Sequence, residues 1–250
     1  MRSVWLVARV PDGLRLVGIW TMAALLMGAA CAADDGASAR DFKLTFGDYL
    51  YHDAHGQDVN LRWQHGDTHA WLGEYSDASF GRQWRTGIDG AFELAPALQL
   101  MPSVQVASGG FVGGSVNVQW GHPWYVLAGW GRTNLRPYFN LNFDPNDAVT
   151  FGAGHQADDG SQIALTLIAD DRLHTGQRDW HLQGRWPVWG DQRLTLDLLR
   201  KTGLGDGGPV RAWGWTAGWD WPAWFLRIAR DPKQNFSTQD ATRLSAGVRF

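Results

Sequence analysis

The residues that could do chemistry are histidines, acids and a few glycine-rich stretches. A serine–histidine pair that cleaves esters needs both side chains on one face. On a strand that means two positions apart, or on neighbouring strands. No His-x-Ser or Ser-x-His occurs in the chain. His155 and Ser161 flank the turn Asp158-Asp159-Gly160, so they could approach, and either aspartate could orient the imidazole. Against this, His155 shares its register with Val149, Phe151 and Ala153, which favours a histidine at an apolar rim. His174 lies in the polar segment Asp170-Asp171-Arg172-Leu173-His174-Thr175. With the hard oxygens of Asp170 and Asp171 it is the best candidate for a hydrolytic histidine or a calcium ion, although acidic loops are ordinarily only solvated. His52 and His55 are three apart, so in a strand they face opposite ways and cannot share a metal.

Gly152-Ala153-Gly154-His155-Gln156-Ala157 has the letters of a dinucleotide fingerprint. A turn follows where that motif requires a helix, so no nucleotide is expected. Gly203-Leu204-Gly205-Asp206-Gly207-Gly208 lacks the Lys-Ser/Thr of a phosphate loop and reads as a flexible loop. No cofactor and no metal is therefore expected. The formal charge of −3 gives no reason to expect a nucleic-acid partner.

What remains is a chain with 16 tryptophans, 31 glycines and only 19% charged residues, arranged in period two. Val59-Leu61-Trp63 alternate with Asn60-Arg62-Gln64, and Val112-Gly114-Val116-Val118-Trp120 with Gly113-Ser115-Asn117-Gln119. The same alternation runs through 98–106, 135–143, 180–186, 194–198 and 243–250. Such runs, punctuated by turn residues, are two-faced strands. From residue 41 to 250 the chain reads as one all-β domain without a linker.

One face of these strands is polar and charged within the strands themselves. It carries Arg62, Arg85, Asp89, Asn117, Arg136, Asn140, Arg185, Asp197, Arg227 and Arg243. The other carries many tryptophans, among them Trp63, Trp84, Trp120, Trp124, Trp130 and Trp224, several within two residues of a turn. A soluble sandwich would bury those indoles and need a partner for each N–H. An antiparallel barrel in a membrane turns them outward, as an aromatic girdle at the interface.

The N-terminus supports export. Arg2, Arg9 and Arg15 precede an apolar run from Leu16 to Ala30, which ends at Ala30-Cys31-Ala32. A basic start, a short apolar core and an A-x-A site read as a signal peptide over residues 1–32, with 33–40 a short extension. Cleavage there takes away the only cysteine, together with three arginines and one aspartate, and moves the formal charge from −3 to −5. Cys31 as a lipid acceptor is disfavoured by Gly28, where such sites carry a leucine-like residue.

The end of the chain sets Leu244, Ala246, Val248 and Phe250 at every second position. This resembles the terminal assembly signal of Gram-negative outer-membrane β-barrel proteins. The resemblance implies a last strand read by the outer-membrane insertion machinery, with outer-membrane lipid and lipopolysaccharide as surroundings. It implies no oligomeric state and transfers no site residue. Fifteen runs can be counted and bacterial barrels have even numbers, so 14 strands are expected, with 12 next; the surplus is sought between Phe42 and Phe92. Three functions suit such a barrel. The favoured one is a narrow channel for small hydrophilic or anionic solutes, lined by the polar face. The alternatives are a structural, binding or assembly barrel without conductance, and an outer-membrane lipid hydrolase.

Overall fold

A computed structural model describes residues 40–142 and 144–250. The expected signal peptide and nearly all of the extension lie outside the described residues. The chain winds as a meander of β1 (Phe42–Leu50), β2 (His55–His65), β3 (Thr68–Asp77), β4 (Gly81–Gly90) and β5 (Phe92–Ala95). It continues through β6 (Leu98–Ala107), β7 (Phe111–Trp120), β8 (Trp124–Thr133), β9 (Ala148–Gln156) and β10 (Gln162–Asp170). Then come β11 (Arg178–Pro187), β12 (Arg193–Gly205), β13 (Gly208–Asp220), β14 (Trp224–Asp231) and β15 (Ala241–Arg249). Every pairing is antiparallel, and β1 pairs with β15, so the sheet closes on itself.

The barrel has 14 strands because β4 and β5 are two halves of one. Asp89 opposes Ser103 and Phe92 opposes Leu100, so the register on β6 runs unbroken past the interruption at Gly90-Ala91. The surplus run is instead the one read over 135–143, whose described residues 135–142 form no strand. Pro137 has no N–H for a ladder, and Leu135 adopts a left-handed φ of 59°, which ends the extended backbone of β8.

Alternation in sequence becomes inside and outside. Val59, Leu61 and Trp63 are exposed on the outer wall, while Asp58 between them and the previous turn is buried in the lumen. On β7, Val112, Val116, Val118 and Trp120 face out and Asn117 is buried. The seam is closed by backbone bonds between Phe42 and Phe250, 2.9 Å in each direction, and by their stacked rings. Closure removes the two free edges that an open sheet would expose to lipid.

The two rims differ. One, the terminal rim, carries the start of β1, the end of β15 and the short turns 66–67, 96–97, 121–123, 157–161, 188–192 and 221–223. Trp189, Trp219, Trp221 and Trp224 meet in sequence on this terminal rim, with the last two stacked at 3.7 Å. The opposite, loop rim carries the long connections 134–147, 171–177 and 232–240. The glycine-rich segment Gly203–Gly208 is not a flexible loop. It is the tip of a tight hairpin, in which Gly205 opposes Gly208 and Gly208 takes a φ of 105° open to glycine alone.

Candidate functional site

Among the described residues, chemistry-bearing side chains converge in the lumen, and one loop decides its shape. Residues 134–147 leave β8 at the loop rim and turn into the barrel. Their apolar side chains find partners there: Phe139 stacks on Tyr75 at 4.3 Å and Tyr138 on Phe111 at 4.2 Å. Leu141 packs with Tyr49, Tyr75 and Ala241. Tyr138, Phe139 and Leu141 thus pack inside the lumen while Pro137 is exposed, where sequence alone reads 135–143 as a lipid-facing strand.

Polar bonds pin the loop to the wall. The Gln83 side chain acts as a strand edge for Phe139, donating Nε2 to its carbonyl at 3.0 Å and accepting its N–H at 2.8 Å. Arg243 donates to the Leu141 carbonyl at 3.1 Å, and Asn235 to that of Asn140 at 3.0 Å. Asp147 accepts from the Thr133 hydroxyl at 2.7 Å and from Arg172 at 2.8 Å. Burial pushes the Tyr138 phenol up to about 12, so it stays neutral.

The strongest clasp crosses from the loop to β11 and β12. His181 Nε2 lies 2.9 Å from Asp144 on the loop, and Nδ1 lies 2.9 Å from Asp197 on β12. All three residues are buried. Only an imidazolium donates from both nitrogens, so the ring links two carboxylates that would otherwise repel.

The expected pore-lining residues divide accordingly. Arg62 and Asp89 form an ion pair at 2.7 Å, with His69 3.3 Å from the same carboxylate. Arg85 pairs with Asp58 at 2.9 Å, and Asp197 holds His181. Asn117, Arg185, Arg227 and Arg243 all project from strands on the inner register, Asn117 buried and the arginines half-buried. Arg136 and Asn140 are corrections. They belong to the inserted loop and not to the wall: Arg136 is exposed, while Asn140 is buried inside and donates to the Asp144 carbonyl.

The weaker chemical candidates do not assemble. His155 sits against Trp124 on the outer wall, 4.6 Å between centroids. The Ser161 N–H donates to Asp159, and that bond holds the Asp159 carboxyl below the usual range. His174 is exposed with a φ of 56°. Asp170 accepts from the backbone of Arg172, Leu173 and Thr175, and Asp171 from both guanidinium nitrogens of Arg132. Both carboxylates are thus taken up in shaping the loop. Among the described residues, no cluster of three His, Cys, Asp or Glu could hold a metal.

Four lumen residues stand outside the expected set: Lys43, Asp58, Asp144 and Lys201. Lys43 and Asp58 were available from parity, since each alternates with outward apolar residues. Lys201 is fully buried on β12 and bonded to Asp231 at 2.7 Å. Asp144 carries no local signal, because its partner is 37 residues away.

Below the loop, toward the terminal rim, the two walls differ. On one side Gln119, Gln162, Thr166 and Gln183 mix with Met101, Tyr125 and Leu127 around a cavity of about 20 Å³. Facing it, β14, β15, β1 and β2 present Arg227, Arg249, Lys43 and Arg62. A lumen of this kind, polar and cationic on one side and narrowed by an inserted loop, can pass or hold small hydrated solutes.

Comparison with known structures agrees on the architecture. The barrel superposes on the outer membrane protein Omp33 of Acinetobacter baumannii with a TM-score of 0.55, covering 84% of this chain and 98% of that one at 9% identity. The fold is that of bacterial outer-membrane barrels. Two further matches are the KdgM porin, at a TM-score of 0.48 and 9% identity, and the NanC porin, at 0.45 and 10%. They cover 83% and 84% of this chain and 99% and 98% of their own. No protein-family model matches the sequence. No curated protein matches it either.

Proposed function

We propose that this protein is a narrow, porin-like channel of the bacterial outer membrane for small hydrophilic or anionic solutes. The observation that carries the reading is the loop 134–147, folded into a polar lumen and fastened to β4, β11 and β15. A barrel that is only structural fills its interior with side chains from its own strands. Here a connection is committed to that task instead, leaving charged and amide groups facing water below it. The terminal rim faces the periplasm, as short turns do in such barrels, and the loop rim faces outward. Residues 1–32 direct export, and the strand ending at Phe250 is the part read by the insertion machinery. Outer-membrane lipid and lipopolysaccharide contact the outward Trp and aliphatic band.

The bias toward anions follows from the wall opposite the amides, where cations outnumber acids. Reconstituted in planar bilayers, the protein should show small steady conductance whose reversal potential in a salt gradient favours the anion. Raising salt to 1 M, where screening shortens to about 3 Å, should shrink that preference. A folded barrel that neither conducts nor lets small sugars swell liposomes would mean a closed structural role.

A further inference from the structure

The cationic wall is ordered in a way that bulk polarity does not require. Arg62, Lys43 and Arg249 are direct Cα partners across β2, β1 and β15, forming one row of three positive side chains on the inner face. Like charges directly opposite one another destabilise a sheet. The ends of the row are neutralised: Arg62 by Asp89 and Arg249 by Asp220. The middle is not. Among the described residues no carboxylate forms an ion pair with Lys43, the nearest acids being those already paired with Arg62 and Arg249.

These cations share one aromatic floor. Lys43 Nζ lies 4.5 Å from the centre of the Phe225 ring, and the guanidinium carbons of Arg249 and Arg227 lie 5.5 and 5.9 Å from it. Phe225 is buried beneath them, while all three cations remain half-exposed toward the lumen. A ring quadrupole offsets only part of the repulsion, about 0.5–1 kcal/mol per cation at exposed sites. The remainder would be relieved by an anion seated among them, where ammonium and guanidinium donors converge.

We propose that Lys43, Arg227 and Arg249, set over Phe225, form a binding station for one oxyanion, the carboxylate or phosphate group of a small solute. The station lies on the periplasmic side of the inserted loop. Its role in passage rests on the channel reading above, but binding itself does not. An anionic solute that clears the loop would exchange part of its hydration for the Lys43 ammonium, with Arg227 and Arg249 beside it as cations, and be held there before release. Arg249 already donates to the Trp221 carbonyl and to Asp220.

The test separates the two ideas. Folded protein in detergent micelles is titrated calorimetrically with inorganic phosphate and, in a second series, with gluconate at matched ionic strength. Saturable binding of at least one of them is expected, and comparing the two series shows whether phosphate or carboxylate is preferred. Lys43→Gln and Arg227→Gln should each weaken it at least tenfold, Lys43→Arg should retain it, and Arg136→Gln on the exposed loop should leave it unchanged. Heat-modifiable migration on gels checks that every variant is folded. No saturable binding of either anion, or equal binding by the wild type and both glutamine variants, would overturn the station even if the barrel conducts. Saturable binding by a barrel that does not conduct would uphold the station and remove the channel.

Discussion

A single histidine holds the most consequential contact in the molecule. His181 bonds Asp144 and Asp197 at 2.9 Å each, and all three are buried. Removing the central cation of a buried network leaves uncompensated charge, at a cost of about 3–5 kcal/mol. His181→Ala should therefore lower the thermal unfolding midpoint. It should also loosen the loop, seen as larger current fluctuations in single-channel records. Unchanged noise and an unchanged midpoint would show that the aromatic contacts of Tyr138 and Phe139 hold the loop alone. At this scale the sequence was only partly legible. His181 could be placed on the polar register from its neighbours Trp180 and Leu182. Its role could not, because Asp144 reaches it through a loop whose path depends on tertiary contacts.

Strands were the most legible elements, since a lipid-facing wall forces period two on nearly every one of them. Lumen packing imposes no such demand, and that is why Leu135–Phe143 imitated a strand. Phe139 and Leu141 from its apolar register pack against Tyr75 and Tyr49, and Tyr138 from the opposite register stacks on Phe111. The tight hairpin at Gly205–Gly208 was hidden for the converse reason, as glycine-rich letters describe flexible loops and close turns equally well. Two variants probe the elements. Val116→Arg places a charge on the outer wall in the middle of β7 and should cost roughly 2–4 kcal/mol, whereas Gln119→Arg on the inner face should be tolerated. Urea titration of the barrel refolded into lipid measures both, and equal costs would contradict the assignment of faces. Phe250→Asp puts a charge on the outer wall where the backbones of Phe42 and Phe250 close the seam. It should reduce the fraction of protein that migrates as folded barrel in unheated gel samples, and full recovery of that band would show that the terminal ring is dispensable.

For the molecule as a whole, the architecture follows from a short physical argument. A closed antiparallel sheet satisfies every ladder bond without water, and its inner face is then free to be polar. Closure, strand number and the direction of the faces were all accessible from patterning and turn spacing. Whether the lumen is open was not, because that depends on one connection and on how firmly it is held. On the channel reading, the inserted loop narrows a water-filled pore. Replacing residues 136–145 with a short Gly-Ser linker, while keeping Thr133 and Asp147 to anchor its ends, tests it most directly in planar bilayers beside the wild type. The wild type should show small anion-biased conductance, and the variant conductance several-fold larger with the bias reduced but not reversed. Two folded barrels with the same conductance, or with none, would contradict it.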